Sequence, residues 1–202
     1  TVGGGTAPPP APPPPGGAVL ATFDETTPPA VTEFGGAGYA IEAAPAGGGT
    51  GTALRISRPG GDVFAGAWVA IPAVPNTAGT QTVSARVYSP TAGIPFVAKL
   101  EFGDNAGTGD RVPNEPVVAG WQTLTWTFSN LTAPNVYNRF TILPNLGTVG
   151  TGQNYYIDDI TLVASAPPPP PPAPPSSSCS TSTQQCISFS ESTIAALGFE
   201  GL

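Results

Sequence analysis

The chain has 202 residues, of which 27 are proline, 26 glycine and only 9% charged, so it holds enough for one core-bearing domain plus much chain that cannot join a core. A net charge of −7 excludes a polyanion partner, because nucleic acid or an anionic membrane needs a basic stripe, and Arg55, Arg58, Arg86, Lys99, Arg111 and Arg139 stand singly. No apolar run approaches the roughly 20 residues of a membrane helix, and the lack of histidine removes Ser-His-Asp and Cys-His catalysis.

The chain opens at Thr1 and contains no methionine, which reads as a mature or excised piece of a longer protein. Residues 1–17 form a Gly/Pro-rich linker: Pro8 to Pro10 and Pro12 to Pro15 favour polyproline II, with glycines on both sides. Residues 18–164 then read as all-β. Short runs rich in Val, Ile, Thr and aromatics alternate with Gly/Pro/Asn/Asp clusters, and no window keeps a helical period. The expected strands are Val19 to Phe23, Gly38 to Glu42, Ala53 to Ser57, Ala67 to Ile71, Thr82 to Ser89, Phe96 to Phe102, Trp121 to Phe128, Tyr137 to Leu143 and Tyr155 to Val163. Their number and spacing predict a two-sheet antiparallel β-sandwich of jelly-roll type.

Alternation assigns faces. Phe23, Leu54, Ile56, Val83, Val87, Leu100, Phe102, Leu124, Trp126, Phe128, Phe140, Ile142, Ile160 and Leu162 are expected in the core. Arg55, Arg86, Tyr88, Lys99, Glu101, Tyr137 and Arg139 are expected outside.

Beyond the sandwich, residues 165–186 make a Pro/Ser-rich linker. Cys179 and Cys186, six intervening residues apart and without histidine to complete a zinc site, are expected to form a local disulfide in an oxidising compartment. Residues 187–202 echo the start of the module: Phe189-Ser190-Glu191-Ser192-Thr193 resembles Phe23-Asp24-Glu25-Thr26-Thr27, and Phe199-Glu200-Gly201 resembles Phe34-Gly35-Gly36. They read as an orphan first strand of a following repeat, or as a strand donated to a neighbour through Ile187, Phe189 and Phe199.

Catalytic chemistry is sparse. The glycines at 47 to 49 and 51 lack the lysine of a phosphate-binding loop. Paired-carboxylate glycosidase chemistry needs Glu25, Glu101, Asp158 and Asp159 to meet, whereas Glu101 reads as compensating Lys99 and Arg86, so no enzyme is expected. Two binding constellations remain. Asp24 and Glu25 on the first strand and Asp158 and Asp159 on the last are hard oxygen ligands on elements expected to pair; they read either as a structural calcium site or as solvated carboxylates beside a strand bulge. Outward Tyr88, Arg86, Lys99, Glu101, Trp121, Tyr137 and Arg139 read either as a sugar-binding face or as aromatics closing the core.

Phe23-Asp24-Glu25, Phe34-Gly35-Gly36-Ala37, Val87-Tyr88-Ser89-Pro90 with Gly93-Ile94-Pro95, Gly120-Trp121-Gln122-Thr123-Leu124 and Tyr155-Tyr156-Ile157-Asp158-Asp159-Ile160 together resemble β-sandwich modules similar to the carbohydrate-binding modules that accompany bacterial laminarinase-like glycoside hydrolases. The resemblance covers residues 18–164. It implies an extracellular accessory domain, a structural calcium and glycan binding. The function expected is therefore a non-catalytic, secreted, polysaccharide-binding module. The rival expectation is a structural repeat of an extracellular filament, built from neighbouring copies by strand complementation and packed polyproline segments.

Overall fold

A computed structural model describes residues 17–48, 51–76, 80–103 and 107–164. The two proline runs, Cys179 and Cys186, and the Ile187, Phe189 and Phe199 segment lie outside the described residues.

Ten strands occupy the described chain: β1 (Ala18–Ala21), β2 (Val31–Phe34), β3 (Gly38–Ala43), β4 (Thr52–Arg58), β5 (Gly66–Val74), β6 (Thr80–Ser89), β7 (Phe96–Glu101), β8 (Gly120–Ser129), β9 (Tyr137–Pro144) and β10 (Gln153–Leu162). They form two antiparallel sheets. One has the order β3-β4-β10-β6-β8, with β1 also on β10; the other has the order β2-β5-β9-β7. This is the two-sheet jelly-roll type of sandwich that the spacing of the turns predicts. Only β2 was absent from the expected strands. Its four residues, Val-Thr-Glu-Phe, are too few for alternation to register.

The inner faces hold the expected core. Leu54, Ile56, Val83, Val87, Leu100, Leu124, Trp126, Phe128, Phe140, Ile142 and Ile160 are fully buried, while Phe102 and Leu162 are partly buried against the same cluster. Aromatic pairs with edge-on or tilted geometry join the two sheets, as in Trp126 with Phe140 at 5.7 Å and Phe96 with Tyr155 at 6.1 Å between ring centres. Trp126 also donates its Nε1 proton to the Phe96 carbonyl, so its polar atom is satisfied inside the core.

Two irregularities decide which side chains face out. In β10 the register on β6 shifts between Asp158 and Thr161, and Asp159 takes a left-handed φ of 49°. The extra residue is a β-bulge. Tyr155 and Ile157 are therefore buried on the same side as Ile160, and Tyr156 turns outward. In β5 the register on β9 shifts between Ala70 and Val74, four residues of β5 spanning two of β9. Tyr137, at the end of that irregular stretch, is buried, only 1% exposed, and not outward as alternation from Phe140 predicts. Its ring packs edge-on against Phe102, and its hydroxyl accepts the Thr132 N–H at 3.2 Å.

Candidate functional site

Strand pairing places one row of side chains straight across the outer face of the larger sheet. Arg55 of β4 pairs with Tyr156 of β10, Tyr156 with Tyr88 of β6, and Tyr88 with Trp121 of β8. The three rings touch: Tyr88 lies 5.9 Å from Tyr156 and 5.8 Å from Trp121, and Trp121 lies 6.5 Å from Tyr156. All three are half-buried. Adjacent strands are about 4.8 Å apart, so the row is a continuous aromatic strip running perpendicular to the strands.

Charged groups border the strip in compensated pairs. Arg55 Nε donates to Glu42 Oε1 at 2.9 Å, and the Tyr156 hydroxyl donates to the same oxygen at 3.2 Å. Burial, then the hydrogen bond and the charge of Glu42, push the Tyr156 phenol above its ordinary pKa, so it remains a donor. On the other flank, Arg86 bridges Asp159 at 3.2 Å and Asp158 at 3.7 Å, and its guanidinium lies 5.1 Å from the Trp121 ring centre.

The connection between β3 and β4 adds a further element. It leaves the sheet at the edge opposite β8, yet Pro45 accepts the Trp121 Nε1 proton at 3.2 Å. Gly48 packs so closely on the same indole that an added Cβ would sit 2.6 Å from Cζ2, and Gly51 lies equally close to the Asp24 carboxylate. Since β10 and β6 separate β4 from β8, residues 44–48 pass over the outer face of the sheet to make these contacts.

The seven residues expected to share one sugar face divide between two. Arg86, Tyr88 and Trp121 lie on the outer face of the larger sheet. Lys99, Glu101 and Arg139 lie on the outer face of the other sheet, where Lys99 pairs with Asp110 at 3.1 Å, Glu101 accepts from Thr141 Oγ1 at 2.6 Å, and Arg139 stacks 4.4 Å over Trp68. Tyr137 is in the core. Tyr156, Arg55 and Glu42 were not among the expected face residues. Arg55 carried an outward signal in its own strand, whereas Tyr156 was concealed by the bulge.

Each of the four carboxylates expected around calcium has a protein partner, while Asp24 and Asp159 also lie close enough to Asp158 to act on it by charge. Asp24 accepts the Thr52 N–H at 2.7 Å, and Glu25 accepts the Thr22 N–H at 2.9 Å. Burial would raise Glu25, but the backbone donors outweigh it and leave its pKa lowered. Asp158 accepts the Asp159 N–H at 2.8 Å and faces Arg86. Burial first, then the neighbouring charges of Asp159 and Asp24, raise its pKa to about 7. Among the described residues no three His, Cys, Asp or Glu side chains converge on a point that could hold a metal ion. Arg86 supplies the positive charge at the Asp158 and Asp159 end. Glu101 is on the opposite sheet from Asp158 and Asp159, so it makes no glycosidase pair with either.

No protein-family model and no curated protein matches the sequence. Similar solved structures include the CBM22-1 xylan-binding domain of Xyn10C from Paenibacillus barcinonensis, 18% identical with a TM-score of 0.50 over 75% of this chain and 97% of that one. Another is the family 11 carbohydrate-binding module of the cellulosomal cellulase Lic26A-Cel5E from Clostridium thermocellum, 17% identical with a TM-score of 0.50 over 74% and 95%. An arabinose-bound α-L-arabinofuranosidase, MgGH51, is 18% identical with a TM-score of 0.56 over 72% of this chain, which spans only 26% of the enzyme. The fold is thus one found in carbohydrate-binding modules.

Proposed function

We propose that the sandwich is a non-catalytic, extracellular module that binds a polysaccharide, holding one glycan chain along Arg55, Tyr156 and Tyr88 on the outer face of the larger sheet. The observation that carries this reading is the aromatic row running from β10 to β8 at a single register. Sugar rings offer apolar C–H faces to aromatic rings and hydroxyls to polar groups, and the row supplies both, with Glu42, Arg55 and Asn154 at its edge. The absence of histidine, and the placement of Glu101 on the opposite sheet from Asp158 and Asp159, support binding without turnover. The similar modules, one a xylan-binding domain and the other a carbohydrate-binding module, support the ligand class.

Calorimetric titration with soluble xylan and soluble β-glucans tests the reading. The wild-type protein is expected to bind at least one of them, and Tyr88→Ala and Tyr156→Ala are each expected to weaken binding about tenfold or more, equivalent to roughly 1.4 kcal/mol. Lys99→Ala, on the opposite sheet, is expected to leave affinity unchanged. Undiminished binding by the Tyr88→Ala, Tyr156→Ala double variant would remove this face as the site.

A further inference from the structure

We infer that residues 44–48 form a fixed wall along one edge of the glycan platform, held there by Trp121, and that this wall restricts the site to chains unbranched on that edge. The inference rests on the polysaccharide-binding reading and adds a selectivity to it.

Trp121 looks at first like the strongest stacking residue of the strip. Its donor, however, is spent on the Pro45 carbonyl, Gly48 is pressed against its six-membered ring, and Arg86 occupies a position 5.1 Å from the ring centre. The indole therefore serves the loop. Glycine at 48 is a condition of that contact, because a Cβ there would lie 2.6 and 2.7 Å from Cζ2 and Cε2, inside any normal carbon separation. Trp121 is accordingly a positioning residue, and Tyr88 and Tyr156 are left as the stacking surface.

The wall's distance from the ligand follows from strand geometry. The row beneath the loop is Asp158, Arg86 and Thr123, each two residues along its strand from Tyr156, Tyr88 and Trp121. Two residues of strand span about 6.6–6.8 Å. That row is itself closed to solvent: the side chains of Arg86 and Asp158 are only 13% and 8% exposed, and Thr123 Oγ1 is shut off without a partner. A pyranose chain lying on the tyrosines thus has protein within one ring's width of its axis on this side. A sugar branch pointing that way has nowhere to go. On the opposite side the row contains Ser57 and Asn154, with Asn154 exposed, so that edge is open. A densely branched chain, which presents substituents to both edges, is excluded, and an unbranched chain is accepted.

The test is a pair of titrations on the full chain, using oligosaccharides with one backbone: xylohexaose against a xylohexaose arabinose-substituted on successive residues, or an unbranched against a densely 6-branched β-glucan oligosaccharide, so that substituents point to both edges, whichever backbone the wild type binds. The wild-type protein is expected to favour the unbranched ligand at least tenfold. Gly48→Ala lifts the loop off the indole and is expected to bring the ratio close to one, chiefly by tightening the branched ligand. Trp121→Phe, which keeps a ring but loses the Nε1 bond, is expected to move the ratio in the same direction and serves if Gly48→Ala fails to fold. Equal wild-type affinities, or a ratio unmoved in both variants, would overturn the wall while leaving the binding face intact. Failure of the wild-type protein to bind either unbranched backbone removes the binding face itself, and the wall with it.

Discussion

Arg58 shows how much one side chain can hold in place. It is completely buried, with no carboxylate beside it, and its guanidinium donates to four carbonyls: Pro144 at 2.6 Å, Asn145 at 2.7 Å, Thr148 at 2.6 Å and Asp62 at 2.9 Å. Burial lowers its pKa, and the carbonyl dipoles take the place of a counter-ion. One residue thereby ties the turn after β9 to the turn after β4. Replacing it leaves several buried acceptors unpaired, so Arg58→Met is expected to cost at least about 3 kcal/mol. For a domain of this size that is a fall in melting temperature of roughly 6–12 °C. Arg58→Lys is expected to recover little, since an ammonium group lacks the planar fork that reaches carbonyls on two loops. A loss below about 1 kcal/mol in Arg58→Met would show that the loops hold themselves. The sequence carried a signal for this residue: Leu54 and Ile56 face the core, and period two puts position 58 there as well. A charged residue so placed reads as the end of a strand, because an unpaired buried arginine is rare.

At the level of elements, β10 concentrates both what was legible and what was not. Tyr155 to Leu162 was recognisable as the closing strand from its β-branched and aromatic content. A bulge beside Asp158 and Asp159 was one reading of the sequence, but its consequence for facing was not legible, because a single inserted residue changes no composition while it reverses every side chain before it. That reversal brings Tyr156 to the platform and sends Tyr155 and Ile157 inward. It also leaves Asp158 nearly buried beside Asp159 and Arg86, with a consequence for pH. The folded-state pKa of about 7 lies above the ordinary value of 3.8, so the folded protein holds this proton more tightly than the unfolded chain. The stabilisation is complete below about pH 4 and is lost as pH rises toward 7, amounting to on the order of 2–4 kcal/mol in all. Asp158→Asn keeps a neutral group at every pH, and Asp159 still pairs with Arg86. The variant is expected to melt several degrees above wild type at pH 8 and to lose that advantage near pH 4. Repeating the pH 8 melts with a chelator tests calcium: with Arg86 as the compensating charge, no change is expected, and a drop of several degrees would place a cation among Asp24, Asp158 and Asp159.

For the whole molecule, the sandwich was legible because strand content, turn spacing and the large apolar residues agree. The division of outward residues between two sheets was not. Arg86 and Lys99 sit on consecutive strands with similar alternation, and only the long-range pairing of β6 with β8 and β10, and of β7 with β9, puts them on opposite faces. The charge balance, by contrast, is a property of the whole chain, and it bears on ligand choice. The net charge is −7, and the arginines at the platform are already paired, Arg55 with Glu42 and Arg86 with Asp158 and Asp159. No local positive field offsets the overall negative one. A glycan carrying uronic acids therefore approaches against repulsion, and a neutral one does not. Screening sets the size of this effect, since the Debye length is about 30 Å at 0.01 M salt and about 8 Å at 0.15 M. Affinity for neutral xylan or β-glucan is expected to be flat across that range. Affinity for a uronic-acid-bearing xylan of matched length is expected to be lower at 0.01 M and to rise toward the neutral value as salt is added. The opposite trend, binding of the acidic glycan that weakens with salt, would mean that Arg55 or Arg86 leaves its carboxylate to meet the ligand.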